Sequence, residues 1–151
     1  MVRQIVFYLA AGVIFFASVA MPGSPVAAAG DEVDVIVNKG NPVGELSLSD
    51  ARKIFIGDKG SWPNGKRITV LMLAPGQPER AVLLHEVYKM GEADYSKYFL
   101  QASFTGKVEA PPKDVASAAE VKQAVAANIG AIGYVKSGDA DDSVKVVLKI
   151  P

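Results

Sequence analysis

The residues able to do chemistry are few. The sequence holds one histidine, His85, and no cysteine, which removes disulfides, thiolate zinc sites, a cysteine nucleophile and any multi-histidine metal cage. His85-Glu86 would open a zinc-protease helix motif, but position 89, where the second histidine belongs, is Lys89. Ser47 or Ser103 could be set beside His85 in a hydrolytic triad, yet no G-x-S-x-G turn presents a serine as nucleophile. The acidic stretch Gly138-Asp139-Ala140-Asp141-Asp142 lacks the ligand spacing of a hand-type calcium loop and reads as a solvated turn. These observations point to a non-enzymatic protein with no cofactor.

Recognition chemistry has more to draw on, and the elements that would position it can be traced along the chain. Residues 33–38 (VDVIVN) read as a strand running into the Lys39-Gly40-Asn41-Pro42 turn. Ser47-Leu48-Ser49-Asp50 has capping-box form and opens a short helix through Ala51, Ile54 and Phe55, stopping at Gly57. Residues 58–66 read as an exposed turn that carries Trp62, the single tryptophan. Residues 68–73 (ITVLML), apolar almost throughout, are expected to be the central strand of the sheet.

Pro78 suits the first turn of a helix reaching Met90, with Leu83, Val87 and Met90 on one face and Gly91 as its stop. Asp94 is expected to cap a further helix, and Pro111-Pro112 to mark residues 105–114 as loop. Ser117 and Glu120 form a second capping box. Residues 130–135 (GAIGYV) read as a buried strand with a close backbone approach at Gly133. In residues 143–150, Val144, Val146 and Leu148 alternate with lysines, except at Val147, as in a half-exposed last strand. Strands separated by helices predict an α/β fold, a mixed sheet of about four to five strands covered by helices.

The first 29 residues read as a secretory signal. Arg3 supplies the positive start, residues 5–20 are apolar without a charge, and Ala27-Ala28-Ala29 offers small residues for cleavage. An uncleaved anchor is the competing reading, because about 20 apolar residues suffice to span a bilayer. Cleavage would leave residues 30–151 as one exported, periplasmic domain with 15 bases against 16 acids. Such balance does not advertise nucleic acid as a partner.

The order of these segments resembles the phosphate-binding proteins of ABC uptake systems, the periplasmic binding-protein type II family. Val35-Ile36-Val37-Asn38, then Leu46-Ser47-Leu48 with Ile54-Phe55-Ile56-Gly57, and Trp62-Pro63-Asn64-Gly65 follow that family's pattern. So does Ala124 followed by Gly130-Ala131-Ile132-Gly133-Tyr134-Val135, with Asn128-Ile129 where the family has a residue and a proline. The resemblance extends over one lobe of a two-lobed fold, and implies a single lobe resembling the second.

In that family the strand at residues 68–73 leads into an arginine and a Gly-Ser-Gly-Thr turn that holds phosphate oxygens. Here Gly76 is kept, while Gln77, Pro78 and Glu79 replace the serine, glycine and threonine, and Leu73 stands near the arginine position. Pro78 removes an N–H donor and Glu79 adds a negative charge where an anion would sit. Arg80 is the residue expected to restore part of that chemistry. The candidate ligand set is therefore Gly76, Gln77, Glu79 and Arg80, with Ser47 and Thr105 as helpers, and phosphate or another small oxyanion as ligand. Two alternatives follow if this turn has lost its ligand. The lobe would dock on an envelope protein complex as an accessory subunit, through the cleft face that the missing lobe covers in the family, or it would pair with a second copy to rebuild a cleft as a homodimer. Trp62, Tyr95, Tyr98 and Phe104 read mostly as core residues, with a partner surface as their other use.

Overall fold

The computed structural model describes residues 32–151; the signal reading of residues 1–29 lies outside them. The described residues form five strands and four α-helices, in the order β1 (Val33–Asn38), α1 (Leu48–Phe55), β2 (Thr69–Leu73), α2 (Pro78–Leu83), α3 (Glu92–Phe104), β3 (Lys113–Val115), α4 (Ala118–Ala127), β4 (Ala131–Lys136) and β5 (Val144–Ile150). They form one mixed sheet in the order β3-β2-β4-β1-β5. β2 runs parallel to β3 and β4, while β1 is antiparallel to β4 and β5. The α/β expectation holds, and β4 takes the centre that residues 68–73 were expected to occupy. The reason is visible at β3, a strand of three residues that begins within the expected loop and covers only Leu71, Met72 and Leu73 of β2. Thr69 and Val70 are left half-buried.

One face of the sheet is closed by α4, and Gly133 makes that possible. A Cβ at Gly133 would lie 2.6 Å from Val121 Cγ1 on the helix, so the central strand and the helix meet at a distance only glycine permits. Asn38 Nδ2 then donates to the carbonyls of Val125 and Ala126, both at 2.9 Å, which satisfies the last turn of α4 from the neighbouring strand. At the other end of α4, Ser117 accepts from Glu120 N–H as its sequence predicts; Ser47 does the same for α1 through Asp50 N–H.

The opposite face is aromatic. Phe55, Tyr88, Tyr95 and Phe99 meet edge-on or tilted, at centroid separations of 5.9 Å for Phe55–Tyr88, 5.1 Å for Tyr88–Tyr95 and 4.8 Å for Tyr95–Phe99. Their polar ends are spent internally: Tyr88 Oη donates to Phe55 C=O at 3.0 Å, and Leu73 N–H donates to Tyr134 Oη at 2.9 Å. Trp62 belongs to the core as well, since its indole N–H donates to Gly130 C=O at 3.0 Å and the side chain is buried. The turn read as exposed over residues 58–66 thus sends its tryptophan inward; Tyr95 is likewise buried, and of the aromatic candidates only Phe104 stands fully in solvent.

Two further expectations change at turns of the chain. The helix begun at Pro78 does not run to Met90: it widens into a π-helical turn at Leu84–Tyr88 and ends at Lys89, whose φ of 56° is left-handed. Gly91 then precedes α3 as its N-terminal cap residue, so α3 starts two residues before Asp94. In β5, the pairing passes from Val35↔Leu148 to Ile36↔Val146, which leaves Val147 as an extra, bulged residue. Its carbonyl accepts from Leu46 N–H at 2.8 Å, and Val144, Val147 and Ile150 are buried in place of the simple alternation read from the sequence.

Two alanine substitutions test the close approaches around β4. A Cβ at Gly130 would stand 2.2 Å from the backbone oxygen of Arg67, which cannot step aside, whereas at Gly133 the obstacle is a side chain. Gly133→Ala is expected to cost about 1–3 kcal/mol in urea unfolding, and Gly130→Ala more than that. Equal stability of both variants with the wild type would contradict this packing.

Candidate functional site

Arg80 occupies the third position of α2 and shares a stripe with Leu83, Leu84 and Val87, spacings of three, four and seven that face the core. Its side chain is accordingly 3 % exposed. A charged group in that position must be answered by hydrogen bonds and opposite charge, and four acceptor contacts do so. Nε donates to Glu92 Oε2 at 3.0 Å and Nη2 to Glu92 Oε1 at 2.5 Å. Nη1 donates to Leu73 C=O at 2.7 Å and to Asp114 Oδ1 at 3.0 Å. The guanidinium also lies over the Tyr95 ring, 4.9 Å from its centroid.

A guanidinium has five N–H donors, so one N–H on Nη2 remains uncommitted. Burial alone would lower the Arg80 pKa, but the hydrogen bonds and charges of Glu92 and Asp114 outweigh it and raise the value, keeping the group charged. The three side chains together carry one positive and two negative charges. Tyr95 feels the same setting: burial, only partly offset by Arg80, pushes its hydroxyl up to about 12.

A groove of about 710 Å³ opens over this cluster, lined by Gly76, Gln77, Arg80, Lys89, Gly91 and Glu92 among others. It brings together three of the expected ligand residues, Gly76, Gln77 and Arg80, and the turn at Gly76 has the positive φ, 95°, that glycine suits. Some backbone donors of this turn are committed, Gln77 N–H to Ala74 C=O at 3.3 Å and Arg80 and Ala81 N–H to Gln77 C=O at 3.1 and 3.4 Å, while the Gly76 and Glu79 N–H groups make no hydrogen bond among the described residues.

Glu79, half-buried, does not line the groove. Ser47 and Thr105 do not line it either: Ser47 caps α1, and Thr105 Oγ1 donates to Gln101 C=O at 2.9 Å at the end of α3. Arg80, expected to restore part of the anion chemistry, is thus largely committed to acceptors of the protein itself. The partners Glu92 and Asp114 were not foreseen, although an arginine on the apolar stripe of α2 is the sequence signal that such partners exist.

The other candidates fall into ordinary surface roles. His85 is exposed and its Nδ1 lies 2.8 Å from Glu86 Oε1, a hydrogen bond that holds the Glu86 carboxyl below its usual range. Asp141 accepts from the Ser143 hydroxyl and N–H and pairs with Lys122 Nζ at 3.2 Å; these contacts, the hydroxyl first, hold its carboxyl down to about 2. Among the described residues no group of three or more His, Cys, Asp or Glu is placed to hold a metal. None of their helices is long and apolar enough to cross a membrane.

The asymmetry of exposure within the Arg80 cluster has a measurable consequence. Glu92 and Asp114 side chains are 45 % and 56 % exposed, so Arg80→Met leaves two carboxylates that water can still solvate. Neutralising both acids, by Glu92→Gln with Asp114→Asn, leaves the buried cation without a counter-charge. The double variant is expected to lose about 3–5 kcal/mol in urea unfolding, and Arg80→Met about 1–3 kcal/mol. The opposite ranking would mean that the cation is not the buried member.

No family model matches the sequence, and no curated protein matches it. Solved structures do match. An ABC-type phosphate transport receptor from Vibrio cholerae aligns with a TM-score of 0.63 at 22 % identity, over 78 % of this chain and 45 % of its own. A Clostridium perfringens protein, described as a phosphate ABC transporter substrate-binding protein and solved with bound phosphate, gives 0.61 at 23 %, over 78 % and 44 %. PstS from Borrelia burgdorferi gives 0.57 at 16 %, over 78 % and 46 %. The chain spans less than half the length of each of these proteins. At such identities the likeness is one of fold, and that fold is a single lobe of the phosphate-receptor type.

Proposed function

We propose that the protein is an exported, non-enzymatic module of the solute-binding type, whose ligand is phosphate or another small oxyanion received at the Arg80 groove. The observation that carries this reading is a guanidinium at a groove, with one N–H uncommitted, in a fold shared with phosphate receptors. The replaced turn limits its strength. With Pro78 lacking an N–H, Gln77 N–H used internally and a cluster of net charge −1, single favourable contacts of about 0.3–1 kcal/mol remain. Affinity for phosphate is therefore expected on the order of 1 mM or weaker.

A second reading, an accessory lobe that docks on an envelope protein or on a second copy, is favoured by Leu100 and Phe104. They stand four apart on α3 at 75 % and 93 % exposure, an apolar pair unusual on a surface without a partner.

Titration calorimetry with phosphate and with sulfate at low salt, beside light scattering of the same samples, separates the two. Weak, salt-sensitive heat from a monomer supports the oxyanion reading. Absence of heat contradicts it, and a dimer dissolved by Phe104→Ser would favour docking. Micromolar affinity would contradict the assignment to a groove of this charge.

A further inference from the structure

We propose that Glu92 is an internal occupant of the anion position on Arg80, its carboxylate filling the Nε/Nη2 fork that an incoming oxyanion would use, so that ligand enters by displacing it. This rests on the oxyanion reading above. Carboxylate and phosphate present paired oxygens to that fork in the same two-pronged way, and Glu92 spans both nitrogens, at 3.0 and 2.5 Å, whereas Asp114 uses a single oxygen on Nη1.

The two sides of the pair differ in freedom. Arg80 is fixed from beneath by Leu73 C=O and Asp114, and from one side by the Tyr95 ring. Glu92 lines the groove and keeps 45 % of its side chain in solvent, so it can rotate away into water without leaving a buried, unpaired charge. It is the first residue of α3, and the chain reaches it from α2 through the π-helical turn at Leu84–Tyr88, left-handed Lys89 and Gly91. Displacement also conserves local charge when the ligand is a monoanion, because one unit of negative charge replaces another on the fork. A dianion adds a charge beside Asp114 and is disfavoured. The groove is therefore expected to prefer singly charged oxyanions, dihydrogen phosphate over hydrogen phosphate.

An internal ligand lowers apparent affinity by the fraction of time the fork is open. If Glu92 holds it nine-tenths of the time, about tenfold is lost. Titration calorimetry with inorganic phosphate is to be run on the purified protein and on Glu92→Gln, with Glu92→Asp as the second variant, whose shorter side chain keeps the charge but reaches less far toward the fork. Binding about tenfold tighter in Glu92→Gln, smaller gain in Glu92→Asp, and loss of that gain when Arg80→Lys is added are the expected results. Equal or weaker binding in the folded Glu92→Gln variant, with the wild type binding, would overturn the displacement and leave the oxyanion reading standing. If neither the wild type nor any folded variant takes up phosphate, the oxyanion reading fails and this inference fails with it. Should Glu92→Gln not fold, Glu92→Asp decides: affinity equal to the wild type overturns the displacement.

Discussion

A guanidinium cannot be buried to 3 % exposure beside an aromatic cluster unless its charge is answered locally, and the answer to Arg80 links much of one side of the molecule. Leu73 offers the carbonyl at the end of β2, Asp114 offers a carboxylate from β3, Glu92 offers another from the start of α3, and Tyr95 offers a ring face. Removing the charge to water is closed off by the apolar stripe on which Arg80 lies. The chain between α2 and α3 must therefore reverse within a few residues so that Glu92 returns to Arg80, and the π-helical turn, the left-handed Lys89 and Gly91 accomplish that reversal.

The same constraint gives β3 a purpose. Lys113, Asp114 and Val115 pair with Leu71, Met72 and Leu73, a ladder too short to be stable alone, and Asp114 adds an ion pair to it. On the other side of the sheet close packing does the work: Gly133 admits α4 to the central strand and Asn38 closes the last turn of that helix. One face of the sheet is thus organised by a buried guanidinium, its half-exposed carboxylate partners and an aromatic surround, the other by a glycine contact.

What could be read from the sequence was what short-range spacing encodes. The β1 strand, the helix starts at Ser47 and Ser117 and the GAIGYV strand depend on neighbours within a few residues, and each is in place, with either serine accepting from the N–H three residues on; the approach at Gly133, to Val121 twelve residues back, was marked by the glycine itself. What could not be read depends on pairs far apart in the chain. Trp62 is buried by a contact with Gly130, 68 residues away, and Arg80 is answered by Asp114, 34 residues away; the apolar stripe signals that Arg80 needs partners, but no local pattern says which residues they are. The bulge was half legible, since the alternation of β5 fails at the very residue that is extruded. For the candidate site, Gly76, Gln77 and Arg80 line one groove while Ser47, Glu79 and Thr105 do not, and the acids facing Arg80 lie 12 and 34 residues along the chain, outside the turn whose pattern is local.

The central claim is that the Arg80 fork is held by the protein's own carboxylate. Only four arginines are present, Arg3, Arg52, Arg67 and Arg80, so hydrogen exchange of the side-chain Nε–H groups in arginine-labelled protein is simple to resolve by NMR. One Nε–H, assigned by Arg80→Lys, should exchange slowly in the wild type and quickly in Glu92→Gln. An Arg80 Nε–H that exchanges as fast as those of exposed arginines, or whose protection survives Glu92→Gln unchanged, would contradict the account.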